Sequence, residues 1–390
     1  MDAGLQLKYV QINVHARDWS NSIIFTKHRE LLESGSDSWV FWARGGHAQD
    51  TNMVKIAKFP EVCLDALMTR LDGRPGFYSK GITRRLLKKL DSIDPDVVQL
   101  HVLHGYYINI EMLFNWLLNH DCRVVWTLHD CWPFTGHCMH FLNAECDQWE
   151  TGCGLHAPCP LQNTYPRTYC KGRERWNYEE KKRIFTSLPA ERMKLVVPSK
   201  WLKGYVDRSF LSKYETTVVP HKVDQAIFRP RASDFRERHG IGDRFMVLGV
   251  ASKWGERKGL PIFLKLAELL DSSKYAIVLV GLNGKQLRVA KGKAVGLRRV
   301  DDAGELAKIY SSADVFLNPG TEETFGMNVA EAVACGTRAI VMRGSACAEV
   351  ADNLIETIPD ARAIAREIEK LRIERDSNCS HASIQSGTSA

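Results

Sequence analysis

The feature that most constrains this chain is an alternation that occurs twice. Short β-branched runs, KYVQINV, SWVFWA, DVVQLHVL, RVVWTLHD and KLVVPS, are each followed by helix-like sequence. The pattern then restarts with FMVLGVAS, YAIVLVG, DVFLNP and TRAIVM, separated by IFLKLAELL, AGELAKIYSS and GMNVAEAVAC. Strands joined through helices lie parallel, so each block predicts a βαβ sheet covered by helices, an α/β fold. Between the blocks, Pro220 to Pro230 is bounded by prolines and lacks periodic apolar spacing, as a linker does. The 390 residues suffice for two domains at roughly 150 residues each. The expected organisation is a Rossmann-like domain over 1–225, a second over 226–370 and a small, polar, disordered tail over 371–390. In open parallel sheets ligands bind beyond the carboxyl ends of the strands. Two such sheets facing across a cleft would place two reactants on opposite walls.

Composition narrows the partners. A net charge of +7 and a pI near 8.8 favour anionic ligands. Nucleic acid is disfavoured, because the basic residues are scattered or tied to strand-end turns without an aromatic and basic groove pattern. No G-x-G-x-x-G follows a strand, which argues against a dinucleotide oxidoreductase. No segment approaches the roughly 18 consecutive apolar residues of a membrane span. The amino terminus has no basic segment followed by an apolar one, so a cytoplasmic location is expected. Eleven cysteines in a chain of this size then point to free thiols or a metal site rather than a disulfide framework.

The densest chemistry lies in NPGTEETFGMNVAEAVACGTRAI. A strand ends at Leu317, a turn carries Glu323, and a helix begins near Met327 with Glu331 on it. At about 3.6 residues per turn both carboxylates can face one strand-end cleft. The amides of Phe325, Gly326, Met327 and Asn328 stand at a helix amino terminus, where unpaired N–H groups favour a diphosphate or sugar hydroxyls. Gly326 lets the backbone come close. Two acids near a helix start also simply complement its dipole.

The segment E-T-F-G-M-N-V-A-E resembles the E-G-F-G-x-x-x-x-E hallmark of the retaining glycosyltransferases of family 4, with Thr324 in place of the first glycine. VLGVASKWGERKGL is similar to that family's V-G-R-L-x-x-x-K-G-L, and RVVWTLHDCWPFTGHC resembles bacterial colanic-acid and related polysaccharide transferases. The resemblance implies the two-domain GT-B fold, with an acceptor-side domain first and a nucleotide-sugar domain second. It also implies transfer of a hexosyl unit with retention, from a UDP- or GDP-sugar to a saccharide or lipid-linked saccharide acceptor in surface polysaccharide or lipopolysaccharide biosynthesis. Glu323 would contact the transferred sugar, Glu331 the ribose, and Lys253 and Lys258 the pyrophosphate, with Arg257 sharing that role. His129 matches the histidine expected at the donor sugar; His101, His104 and Asp130 stand beside it at strand ends. The diphosphate clamp is basic and no DxD pair stands at a suitable strand end, so no cofactor is expected in catalysis.

HCMHFLNAECDQWETGCGLHAPC brings Cys138, Cys146, Cys153 and Cys159 into one loop, 137–160. Four thiolates would bind a structural zinc; reduced cysteines in a lid loop fit the same residues. SKGITRRLLKKLDSI interleaves Arg84, Arg85, Lys88 and Lys89 with Ile82, Leu86, Leu87 and Leu90. It reads either as an interfacial helix on anionic lipid or as a helix packed on a sheet with its basic face solvated. Three departures from the family pattern stand out. The first βα turn, INVHARDWSNS, lacks glycines, and the linker reads PHKVD where an asparagine-glycine turn is usual. After Val350 one further helix, DARAIAREIEKLRIERD, is evident, so a shortened carboxyl end is expected. With it comes an alternative function: a weakly active or non-catalytic sugar-nucleotide-binding protein.

Overall fold

The structure is a computed structural model that describes residues 6–15, 23–46 and 51–386, with side chains as far as 378. The chain divides between Lys222 and Val223 into two compact units. The glycine-free turn after the first strand, residues 16–22, lies outside the described residues.

The first unit is built on β1 (Lys8–His15), β2 (Asp37–Arg44), β3 (Met53–Lys55), β4 (Val97–Leu100), β5 (Arg123–Thr127), β6 (Met193–Val197) and β7 (Thr216–Val218). They form one parallel sheet in the order β3-β2-β1-β4-β5-β6-β7. β1 pairs with β2 through Ile12 opposite Phe41, and with β4 through Ile12 opposite Leu100. All four residues of β4 are buried, the signature of a strand covered on both faces. Helix Lys80–Ile93 buries Ile82, Leu86, Leu90 and Ile93 against this core. Arg84, Arg85, Lys88 and Lys89 remain exposed.

The second unit repeats the plan with β8 (Phe245–Val250), β9 (Tyr275–Val280), β10 (Val295–Leu297), β11 (Val315–Asn318), β12 (Arg338–Met342) and β13 (Ile355–Thr357), ordered β10-β9-β8-β11-β12-β13, all parallel. Alternate side chains supply two cores. Met246, Leu248, Val278 and Phe316 meet Val329 on one face. Val247, Ile277, Leu279 and Leu317 meet Phe263 and Leu266 on the other, joined by Ile364, Ile368 and Leu371 of the last helix.

Two expectations are corrected. The last helix runs Ala361–Ser386, so residues 371–386 are helical rather than a structureless tail; buried Leu371 anchors the continuation. After Val350 there is also a strand, β13, which pairs with β12 through Ile355 and Ile340. Among the described residues no helix is long and apolar enough to cross a membrane.

Candidate functional site

In the second unit the strand order reverses between β8 and β11, and a crevice is expected where adjacent strands send their connections to opposite sides. Asn328 marks that point. Its side-chain amide donates to the Val250 carbonyl at the end of β8 (3.0 Å), and its Oδ1 accepts from Asn318 at the end of β11 (3.2 Å). Gly326 caps helix Met327–Ala334 at φ 101°, and a Cβ there would come within 2.5 Å of Cys347 Sγ. Only glycine allows this helix to start so close to the strand ends. Thr324 is not among the residues of positive φ, so its replacement of a family glycine imposes no left-handed backbone.

Glu323 is ion-paired with Lys258, and Arg257 stands 3.6 Å away. Arg257 also donates to the Glu322 carbonyl at 2.9 Å. The three side chains are only partly exposed, which strengthens their mutual attraction over that of a surface pair. Lys258 and Arg257 are carried by the turn after β8, which is pressed against the Glu323 loop: a Cβ on Gly259 would lie 2.2 Å from Pro319. Lys253 sits on the same turn but is exposed and, among the described residues, makes no ion pair. The basic pair at the glutamate is therefore Arg257 and Lys258.

Glu331 lies on the first turns of the helix. Burial pushes its carboxyl up to about 7, against a hydrogen bond from the Tyr310 hydroxyl (3.0 Å) that favours the ionised form. Tyr310 is itself buried, and its carbonyl accepts from Thr337 at 2.6 Å. Nothing in the spacing of the motif pointed to Tyr310, which belongs to the preceding helix Ala303–Ser311.

In the first unit the expected residues at strand ends do converge. His101, just past β4, places Nδ1 3.1 Å from His129 Nε2, just past β5. His221, read from sequence only as part of the linker, stacks on His129 with ring centroids 5.7 Å apart. Burial lowers His129 to about 4 and His221 to about 3, and drives His101 well below its ordinary value, so all three imidazoles are neutral near pH 7. His104 pairs with Asp130 at 2.7 Å. Burial pushes the Asp130 carboxyl up, but His104 and the Trp132 amide together outweigh it and hold the group below its usual value.

The cysteine-rich loop is held by helix Glu174–Phe185. The Glu174 carboxylate accepts from the Cys159 amide (3.0 Å) and from Gln162. Lys181, fully buried, donates to the Trp132 carbonyl at 2.6 Å and lies 4.0 Å over the Trp132 ring. Cys138 and Cys159 are hydrogen-bonded to one another; the bond, together with burial, raises the Cys138 thiol, and against burial it lowers that of Cys159. Cys153 accepts from the Gly136 amide, and burial pushes it up to about 12. As placed, these four cysteines do not form a zinc ligand set: among the described residues no group of three or more His, Cys, Asp or Glu is arranged to hold a metal ion.

Residues 243–372 match the family described as glycosyl transferases group 1. Over 173 residues the chain is 28% identical to a glycosyl transferase named for colanic acid biosynthesis in Escherichia coli K12, covering 41% of each protein. Over 173 residues it is 31% identical to a GDP-mannose-dependent α-(1-6)-phosphatidylinositol dimannoside mannosyltransferase of Mycobacterium tuberculosis, covering 40% of this chain and 45% of the relative. The chain thus spans less than half the length of these curated relatives. An Anabaena protein solved in complex with UDP and glucose superposes with a TM-score of 0.61 at 13% identity, over 94% of this chain and 89% of the other. Residues 243–372 of the chain are thus similar to the group 1 glycosyl transferases, and its two parallel sheets and the superposition give it the GT-B fold.

Proposed function

We propose that the chain is a retaining glycosyltransferase that moves a hexosyl unit from a nucleoside-diphosphate sugar to a saccharide or lipid-linked saccharide acceptor in surface polysaccharide assembly. The observation that carries this reading is the Glu323 carboxylate held between Lys258 and Arg257 at the strand switch, with Glu331 about one turn into the next helix. The relative named for GDP-mannose supports the donor class, and the one named for colanic acid biosynthesis supports the polysaccharide role.

Each group then has a chemical task. Arg257 and Lys258 stabilise the negative charge that grows on the departing diphosphate, and Arg257 adds a planar fork suited to a phosphate. The amides of Met327 and Asn328 offer further donors at the helix start. Glu323 accepts from hydroxyls of the transferred sugar, and Glu331 from the ribose. His129, neutral at its buried position, suits a hydrogen bond to an uncharged sugar hydroxyl. The acceptor hydroxyl attacks the anomeric carbon on the face from which the phosphate leaves, and the leaving phosphate oxygen takes the hydroxyl proton. No protein nucleophile is needed.

A thermal-shift panel of UDP, GDP and their sugars, followed by mass spectrometry with lipid-linked acceptors, tests the proposal. Stabilisation by one nucleoside diphosphate and transfer from its sugar are expected, with Glu323→Gln losing transfer by about a hundredfold or more while still binding nucleotide. Nucleotide binding without transfer would favour the non-catalytic alternative. An inverted linkage by NMR would sink retention.

A further inference from the structure

The cysteine-rich loop of the first unit has no task in the proposed reaction, yet two of its sulfurs meet. Cys138 and Cys159 are both thiols, in hydrogen-bond contact with one another. Their surroundings differ. Cys138 is only 4% exposed, whereas Cys159 is half-buried and follows the exposed run Leu155, His156, Ala157 and Pro158. One sulfur is therefore within reach of small molecules in solution, and the other stands behind it.

Both residues are held through their backbones. The Cys138 carbonyl accepts from the buried Thr135 hydroxyl at 2.5 Å. The Cys159 amide donates to the Glu174 carboxylate at 3.0 Å, which also accepts from Gln162 at 3.0 Å. The pair is thus positioned in advance, and a bond between its sulfurs needs little backbone movement. The other two cysteines of the loop are engaged elsewhere. Cys153 is buried and accepts from the Gly136 amide at 3.1 Å, packed so closely that a Cβ on Gly136 would lie 2.7 Å from its own. Cys146 accepts from the Gln148 amide.

We propose that Cys159 is a redox modification site for low-molecular-weight disulfides of the glutathione class, with Cys138 as its resolving partner. The Cys159 thiolate attacks one sulfur of the small disulfide: a bond from Cys159 to that sulfur forms, the small disulfide's own bond breaks, and a thiolate leaves. Cys138 then attacks the Cys159 sulfur. The Cys138–Cys159 bond forms, and the second thiolate leaves with the Cys138 proton. Two electrons pass from the cysteine pair to the small disulfide, which ends as two thiols. The surroundings set this order. The hydrogen bond with Cys138 and the Leu161 amide favour the Cys159 thiolate against burial. Cys138 is raised first by its hydrogen bond to Cys159 and then by burial, so capping Cys159 removes the larger cause and leaves Cys138 beside the capped sulfur. The new bond tethers the segment that runs from His129 through Trp132 to Cys138, and reduction frees it. The inference stands apart from the transfer reaction, since the bond is read without substrate.

The test takes the full chain, reduced and then incubated without oxygen with oxidised glutathione, and maps it by mass spectrometry after alkylation of the remaining thiols. A Cys138–Cys159 crosslink is expected, lighter by two hydrogens than the reduced pair and reversed by dithiothreitol. Cys138→Ser should leave glutathione attached to Cys159, raising the yield of that adduct about tenfold or more over the wild type, because intramolecular attack no longer clears it. Cys159→Ser should take up no glutathione at Cys138, whose sulfur is buried. Melting curves of the reduced variants check that they fold, and the wild-type map stands without them. Four results would each overturn the proposal: no crosslink in the wild-type chain, a crosslink from Cys159 to Cys146 or Cys153 instead, no adduct in a folded Cys138→Ser chain, or stoichiometric zinc that shields these cysteines from alkylation until it is chelated.

Discussion

At the scale of single residues, Glu331 has the most informative environment. Its carboxyl moves from 4.5 up to about 7 because it is buried beside Tyr310. Between those values the folded chain holds a proton that the unfolded chain has lost, so Glu331 makes stability fall as pH rises through that window. Ribose hydroxyls donating to the carboxylate would favour the charged form, so binding a nucleoside diphosphate should release this proton. Affinity is therefore expected to rise up to about tenfold between pH 6 and 8, and Glu331→Gln should remove that part of the dependence while leaving the phosphate's own titration. Calorimetry at the two pH values checks it; an unchanged pH profile in Glu331→Gln would place the nucleotide elsewhere. The glutamates themselves were legible in the sequence because their spacing is local. Tyr310 and His221 were not, since each reaches its partner through the fold: Tyr310 lies 21 residues from Glu331 and His221 stacks on a ring from another strand end. Lys253, whose motif position implies a phosphate contact, is exposed on the same turn that aims Arg257 and Lys258 at Glu323.

At the scale of elements, the sequence revealed the nine longer strands and none of β3, β7, β10 and β13. All four have three residues and all four are sheet edges. A three-residue strand is too short to display a period, and an edge position needs little of the apolar patterning that marks a central strand. The carboxyl-terminal tail was misread for a related reason: its small polar residues carry no helical stripe, yet they extend a helix already nucleated by the buried Ile364, Ile368 and Leu371. Glycines were the better guide to the site. Gly259 opens helix Leu260–Leu269 at φ 70°, against Pro319. Gly259→Ala would combine left-handed strain with a clash, at a cost of about 2 kcal/mol or more. It should also pull Lys258 from Glu323. The expected result is a lower Tm together with weakened nucleotide binding; a variant with both unchanged would show that the two loops are not mechanically tied.

At the scale of the whole molecule, each unit has its own cores and its own distinctive chemistry, and this should be visible in how the chain unfolds. The first unit buries His101, His129 and His221 as neutral rings. Their folded pKa values lie below the ordinary 6.5, so the stability they allow is complete above that value and is lost as pH falls toward about 4 and then about 3. Each imidazole contributes a slope of up to about 1.4 kcal/mol per pH unit within its window. The second unit holds Glu323, Glu331, Arg257 and Lys258, and a nucleoside diphosphate bound there stabilises it by mass action, about 2.7 kcal/mol at a hundredfold excess over Kd. Scanning calorimetry should then resolve two transitions, one lowered by moving from pH 7 to pH 5 and the other raised by the nucleotide. His129→Asn with His221→Asn should flatten the acid response of the first transition without altering the nucleotide response of the second. A single transition moved by both acid and nucleotide would mean that the units unfold as one body, and that burial of the histidines is felt by the glutamate site through a common cooperative structure.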